Sequence, residues 1–221
     1  MISLTFDTSG PVGSVALRRG GRLLGERTLD TRQQHSSLLL PTTDELLRAH
    51  GLAPLNVELW AVGLGPGSYT GIRVGIAAAK GFALAHGRPL AGAGSLEALL
   101  LEHGCDATVA VVVDARREEI YFAMTAAGKP VVPLQIVSLD ALASLVTQQT
   151  LFIGPEIKRY EAEIVRRLGS LARFPQDNVH PRAAFVGELA EQRFAAQHGG
   201  DEKVEPIYLR ETNFKKVNSP G

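Results

Sequence analysis

Two aspartates stand where the sequence could build a binding site. Asp7 ends the apolar run ISLTF and is followed by Thr8 and Ser9, while Asp114 ends the run ATVAVVV. A carboxylate beside hydroxyl groups at the end of a strand could hold a metal-bound phosphate. Alternatively, each aspartate accepts a hydrogen bond from the backbone of the turn that follows it. The residues alone favour this second, structural interpretation and leave the first open.

The histidines, serines and single cysteine do not form a recognisable catalytic set. No two histidines have zinc-protease spacing, and Ser68 lies in GPGSY rather than in GxSxG. His35, just ahead of a predicted helix, is a candidate functional residue. Cys105 follows a predicted helix end, where we expect it to pack. Four of the six histidines precede a glycine at a predicted helix end, where a cation complements the helix dipole: His50, His86, His103 and His198.

A glycine-rich loop, GPGSYTG at 65–71, joins a predicted strand at 59–64 to a predicted helix. Thr70 is the expected cap of this helix, which ends at His86 with Gly87 as a left-handed stop. Free N–H groups gather at such a junction, so it can bind an anion. The spacing nevertheless matches neither GxxxxGK[ST] nor GxGxxG, so no nucleotide-binding motif is assigned.

Small residues recur at every fourth position of the same helix, on one stripe. They are Gly71, Gly75, Ala79 and Ala83. Because a glycine inside a helix costs about 0.5–1 kcal/mol relative to alanine, we expect another helix to approach this stripe closely. That helix could belong to the same domain or to a second protein, and the residues leave both open.

The order of the predicted elements repeats along the chain. The first half has strands at 2–6, 12–17 and 22–29, a helix from about 36 to 50, the strand at 59–64 before a Gly-Pro turn, and the helix at 70–86. An edge strand at 88–91 and a helix at 95–103 complete it. The second half has strands at 107–113, 119–125 and 131–137, a helix at 138–148, a strand at 151–153 before another Gly-Pro turn, and helices at 156–168 and 181–198.

This repetition predicts two similar α/β lobes facing a shared cleft, the architecture of the actin, hexokinase and sugar-kinase superfamily. We assign an N-terminal lobe at 1–104 and a smaller C-terminal lobe with a polar tail at 105–221.

The charges balance, with 23 Lys and Arg against 23 Asp and Glu in 221 residues. No global field therefore recruits nucleic acid or a membrane, and any contact with RNA must be local or shared with a partner. The N-terminus becomes acidic too early for a signal peptide, and no apolar run reaches transmembrane length. A single cysteine fits a reducing compartment. We expect a soluble cytoplasmic protein.

Segments in order along most of the chain resemble the TsaB (YeaZ) family. They are Asp7-Thr8-Ser9, His35-Ser36 before Leu39-Leu40-Pro41, GPGSYTGIR at 65–73, Asp114-Ala115-Arg116 followed by Tyr121, and Tyr208-Leu209-Arg210. The resemblance implies an actin-like ATPase (ribonuclease H-like) fold of duplicated lobes. It also implies a role in tRNA modification, in which threonylcarbamoyl is placed on the adenosine beside the anticodon in tRNAs reading codons that begin with A.

The resemblance further implies that this chain is not the catalyst. TsaD-like relatives carry Asn-His-x-x-x-His after the glycine-rich helix, whereas Ser95 and Leu99 stand at the two histidine positions here. A hydroxyl and an isobutyl group cannot replace two imidazoles on a transition metal, so we expect no metal site and weak or no independent ATP hydrolysis. Asp7, Thr8, Ser9 and Asp114 would then line a vestigial nucleotide cleft. No cofactor is expected for this subunit itself, and ATP or ADP is expected, if anywhere, at its junction with TsaD.

In this family the expected partners are TsaD in a heterodimer and TsaE joining the pair, with a homodimer when the chain is alone and tRNA reached through the complex. The predicted partner surface lies on first-lobe helices and comprises His35, Leu38, Leu39, Gly71, Ile72, Gly75, Ala78, Ala79, Phe82 and Ala83. The competing functions are an autonomous ATPase or kinase of the same fold, a metalloprotease of the glycoprotease type, and a homodimeric scaffold unrelated to tRNA.

Overall fold

The computed structural model describes residues 1–29, 35–104, 107–197 and 204–209. Cys105, His198, Arg210 and the side chain of His35 lie outside the described part, so the predictions made for them stay predictions. None of the helices in the described ranges is long and apolar enough to cross a membrane.

The first sheet has the strand order β3-β2-β1-β4-β5. Its strands are β1 (Ile2–Asp7), β2 (Gly13–Arg19), β3 (Arg22–Leu29), β4 (Leu59–Gly63) and β5 (Leu90–Ala93). The first three strands form an antiparallel meander. Strand β4 pairs with β1 in parallel, and β5 pairs with β4 in parallel. All five residues of β4 are buried, as its continuous apolar run predicts for a central parallel strand.

The second sheet repeats this topology with the strand order β10-β9-β6-β7-β8. Its strands are β6 (Thr108–Arg116), β7 (Glu119–Ala126), β8 (Lys129–Ser138), β9 (Thr150–Ile153) and β10 (Ala172–Arg173). Again three antiparallel strands are followed by two parallel ones. The predicted duplication of the α/β unit is therefore confirmed.

The helices are α1 (His35–Ala49), α2 (Tyr69–His86), α3 (Ser95–His103), α4 (Leu142–Leu145), α5 (Ile157–Leu168) and α6 (Ala183–Gln197). The second lobe is reduced at α4, which has 4 residues where the equivalent α1 has 15. The predicted helix at 138–148 is wrong beyond its first turns, because Val146 is extended and packs into the second-lobe core. Ser138 also makes no capping hydrogen bond from its side chain.

Helix α2 is capped two residues earlier than predicted. The hydroxyl of Ser68, not that of Thr70, accepts a hydrogen bond from the N–H of Gly71 at 3.1 Å. The predicted stop is confirmed, since Gly87 has a φ of 58°. Below the helix, the rings of Trp60 and Phe82 stack with their centroids 4.3 Å apart, which fixes α2 on the first sheet.

The two lobes exchange their last helices. Leucines 96, 99 and 100 of α3, the last helix of the first half, pack against Val109 and Val111 in the second sheet. Conversely, Val186 and Ala190 of α6 pack against the first sheet, on β4 and β5. The predicted division at 104/105 therefore differs from the structure for both helices, because each covers an apolar face of the opposite sheet.

Candidate functional site

The carboxylate of Asp7 lies fully buried at the end of β1. Its Oδ1 accepts hydrogen bonds from the N–H of Ser9 at 3.0 Å and from the hydroxyl of Ser9 at 2.7 Å. Its Oδ2 accepts from the hydroxyl of Ser95 at 2.6 Å, at the first residue of α3. The bond to the amide two residues later is the structural role considered from the sequence, and it is confirmed for Asp7.

The Thr8–Ser9 turn is covered by the chain itself. Thr8 is 1% and Ser9 3% exposed. The hydroxyl of Thr8 donates to the carbonyl of Gly71 at 2.7 Å, and the N–H of Ser68 donates to the carbonyl of Ser9 at 2.7 Å. This close approach requires glycine at position 67, because a Cβ there would collide with the carbonyl oxygen of Ser9. The side chains of Thr8 and Ser9 are therefore closed off from solvent, and their place in a nucleotide cleft stays a prediction.

Asp114 ends β6 in the same way, but it makes its described contacts in the second lobe. Its Oδ1 accepts a hydrogen bond from the N–H of Arg116 at 2.8 Å, so the local structural role is confirmed here too. Its Oδ2 lies 3.5 Å from the guanidinium of Arg116 and 3.4 Å from that of Arg159. Burial and the neighbouring Asp114 carboxylate raise the pKa of Tyr160. The described contacts do not join Asp114 to the Asp7 turn.

The small-residue stripe of α2 faces the first sheet of its own lobe. A Cβ at Gly75 would lie 2.5 Å from the hydroxyl oxygen of Thr8 and 3.4 Å from Val62, while a Cβ at Gly71 would collide with the carbonyl of Thr8. The stripe therefore packs inside the domain, and the prediction that it receives a second protein is wrong for its four residues.

The remaining members of the predicted partner surface are divided between interior and exterior. Leu39 and Ile72 are buried, Ala78 and Phe82 are half-buried, and Leu38 is 38% exposed. The exposed and half-buried residues stay a prediction as partner contacts.

The opposite side of α2 carries a second row of small residues that the sequence analysis missed. Ala77, Gly81 and Ala85 are exposed at every fourth position. Apart from its chain neighbours and the nearby backbone of α2 itself, no atom of the described residues lies within 4 Å of where a Cβ at Gly81 would stand. Leu84 beside them is 86% exposed. The period of four was visible in the sequence for both rows, and the flanking Arg73 and Lys80 mark this row as the solvent side.

A groove of about 450 Å³ adjoins this outer row. It lies between α2 and the chain segment 204–209, whose Val204 is fully buried in the first-lobe core. Arg73 closes one end, since its Nε donates to the hydroxyl of Tyr208 at 3.0 Å and its guanidinium lies 3.9 Å from the centre of the Tyr69 ring.

The positions of the two missing imidazoles lie inside the protein. Ser95 is fully buried and its hydroxyl, besides donating to Asp7, accepts from the N–H of Gly65 at 3.1 Å. Leu99 is fully buried in the apolar cluster between α3 and β6. Within the described ranges, no three His, Cys, Asp or Glu side chains are grouped so that they could hold a metal ion.

Comparison with known proteins supplies the family. The family model of TsaD, tRNA N6-adenosine threonylcarbamoyltransferase, matches residues 25–204. The tRNA threonylcarbamoyladenosine biosynthesis protein TsaB of Haemophilus influenzae is 30% identical, over 99% of this chain and 97% of its own. The chain belongs to the TsaB (YeaZ) family. TsaB of Bacillus subtilis is likewise 30% identical, over 95% of this chain and 94% of its own.

Solved structures agree with this assignment. YeaZ from Pseudomonas aeruginosa is 27% identical and superposes with a TM-score of 0.77, over 94% of this chain and 99% of that one. Component A of (R)-2-hydroxyglutaryl-CoA dehydratase from Acidaminococcus fermentans, at 9% identity, superposes with a TM-score of 0.50 over 88% of this chain and 99% of that one. The latter likeness concerns the fold alone. The chain has the actin-like, ribonuclease H-like α/β fold that its duplicated sheets predict.

Proposed function

We propose that this chain is a non-catalytic partner subunit of a TsaD-type protein in the formation of threonylcarbamoyladenosine beside the anticodon of tRNA, with TsaE joining the pair. The likeness to two TsaB proteins over almost the whole chain carries the proposal. The catalytic step then belongs to the TsaD-type partner, and this chain contributes by binding it.

The interior around Asp7 supports a non-catalytic role. The hydroxyl of Ser95 donates a hydrogen bond to one carboxylate oxygen of Asp7, and Leu99 packs among apolar side chains. A transition metal needs imidazole, thiolate or carboxylate ligands and open space around them. Ser95 and Leu99 supply no such ligand, and both are fully buried. The buried Thr8–Ser9 turn likewise argues against an autonomous ATPase or kinase, which needs an open phosphate site. Nothing among the described residues favours a metalloprotease.

The outer face of α2 and the exposed leucines of α1 form the proposed partner surface. On α2 it comprises Ala77, Gly81, Leu84 and Ala85, and on α1 it includes Leu38 and Leu40, which is 55% exposed. A mid-helix glycine costs helix stability, and the described residues around Gly81 show no close contact that would give a benefit in return. Close approach of a partner helix supplies that benefit, and exposed leucines supply apolar contact. The same face serves a homodimer when the partner is absent.

Size-exclusion chromatography of the full chain with its TsaD-type partner tests this surface. Gly81→Leu places a bulky side chain where the partner helix must approach, so we expect co-elution to be lost while the thermal unfolding midpoint of the variant stays at the wild-type value or above. Gly81→Ala is the matched control and should still co-elute, with at most a modest loss of affinity. Co-elution of Gly81→Leu at wild-type affinity would place the partner elsewhere.

A further inference from the structure

Three hairpin turns in the two sheets require left-handed backbone, and one of them is made without glycine. The turn between β2 and β3 uses Gly20 and Gly21, with φ of 58° and 79°. The turn between β7 and β8 uses Ala127 and Gly128, with φ of 46° and 70°. The turn between β6 and β7 instead has three successive positive φ angles of 66°, 58° and 62°, at Arg116, Arg117 and Glu118.

The glycine-free turn is therefore costly, because side chains with a Cβ are unfavourable in this conformation. Packing does not repay the cost, since Arg116, Arg117 and Glu118 are all exposed. Strain of this kind at an exposed turn points to a use for the side chains themselves.

One arginine of this turn, Arg116, shares an ion-pair partner with Arg159 of α5. The guanidiniums of Arg116 and Arg159 both lie within 3.5 Å of the same Oδ2 of Asp114, and their side chains are 85% and 66% exposed. Exposed ion pairs of this type contribute little to stability, so the guanidiniums can turn to a stronger anion at small cost. Arginine forks bind phosphate oxygens in pairs, which makes phosphate the best-matched ligand.

We infer that this hairpin, with Arg116 and Arg117 on the turn and Arg159 beside it, binds phosphate groups of the RNA backbone. The inference rests on the proposed function, which supplies tRNA as the RNA. A free nucleotide fits less well, because small ligands are bound in concave sites, whereas Arg116 and Arg117 lie on an exposed turn and Arg159 is exposed on α5. Glu118 and Glu119 follow the arginines in the sequence and offset their charge at longer distances. The arginines therefore attract phosphate only at short range, in keeping with a chain of balanced charge.

Fluorescence anisotropy of an unmodified tRNA transcript with the full chain tests the inference. Each phosphate contact adds about 0.7–0.9 to the slope of log affinity against log salt concentration. The Arg116→Ala/Arg117→Ala variant should therefore bind tRNA about tenfold or more weakly and lose about 1.5 from that slope. Arg166→Ala is the matched control, since it removes an exposed arginine from α5 of the same lobe.

Several outcomes would overturn the inference: a wild-type chain that does not bind tRNA, an unchanged double variant, or equal losses in Arg166→Ala. Competition by ATP or pyrophosphate at micromolar concentration would also overturn it, by assigning the arginines to a free nucleotide. Co-elution with the TsaD-type partner is measured on the same variant. Retained co-elution with lost tRNA affinity supports the inference, whereas lost partner binding in the wild type contradicts the proposed function without touching the tRNA result.

A second measurement separates RNA binding by the Arg117 side chain from the backbone strain of the turn. Arg117→Gly and Glu118→Gly each place glycine at a position with left-handed backbone, which removes the strain of a Cβ there. Each should therefore raise the thermal unfolding midpoint by about 2–4 °C. Of the two variants, only Arg117→Gly should weaken tRNA binding. Equal tRNA affinity for the two glycine variants would contradict a role for Arg117.

Discussion

At the scale of single residues, the two aspartates that suggested a binding site stabilise the backbone turns that follow them. Asp7 and Asp114 each accept a hydrogen bond from the amide two residues later. The Asp7 carboxylate tolerates complete burial because two serine hydroxyls and an amide donate to it. Through the Ser95 hydroxyl, the Asp7 carboxylate joins the end of β1 to the start of α3.

His180 provides a prediction about pH. Its ring approaches Gly10 ahead of α6, its Nδ1 is buried without a partner in the described structure, and burial lowers its pKa below the usual 6.5. The native state therefore keeps the ring neutral where the unfolded chain binds a proton. Stability contributed in this way is present above pH 6.5 and is lost as the pH falls from 6.5 towards the lowered value.

Urea unfolding at pH 7.5 and at pH 5.5 measures this effect. The His180→Leu variant should lose less stability between the two pH values than the wild type does. A control variant at the exposed His50, His50→Gln, should keep the wild-type difference. An undiminished pH dependence in His180→Leu would show that other groups cause it.

The local turns could be predicted from the sequence, because an aspartate and the amide two residues on are neighbours in the chain. The closure of the Asp7 site could not be predicted, because Ser95 lies 88 residues further along the chain. Nor does a sequence motif reveal that His180 and Pro181 lie against Gly10.

At the scale of elements, α2 has two rows of small residues with opposite roles. The inner row lets the helix lie against Thr8 and Val62, whereas the outer row meets solvent at Gly81. Both rows have the same period, so periodicity alone could not choose between them. The charges of Arg73 and Lys80 could have identified the outer row, because charged side chains rarely face a sheet.

A matched pair of substitutions distinguishes the two rows. Gly81→Ala should raise the free energy of unfolding by about 0.5–1 kcal/mol, the helix preference for alanine. Gly75→Ala should lower it by about 1–3 kcal/mol, because the new methyl group is forced against the Thr8 hydroxyl. Chemical denaturation of both variants measures the two signs, and stabilisation by both would contradict the packing of the inner row.

At the scale of the whole molecule, two copies of one topology are locked by exchanged helices. Arg182, just ahead of α6, donates to Glu26 of β3 at 2.7 Å and to Glu102 of α3 at 2.8 Å. The repetition of elements could be predicted from the sequence, although most strand bounds shift by one to three residues and the two-residue strand β10 was missed. The exchange could not, since an apolar helix face does not specify which of two similar sheets it covers.

We propose that the whole molecule assists tRNA modification by binding a catalyst. Reconstitution with a TsaD-type protein, TsaE, tRNA and the threonylcarbamoyl donor, followed by mass spectrometry of the tRNA nucleosides, tests it most directly. We predict modified adenosine when the full set is present, and none when this chain is omitted or acts alone. Modification by this chain alone, or undiminished modification in its absence, would contradict the claim.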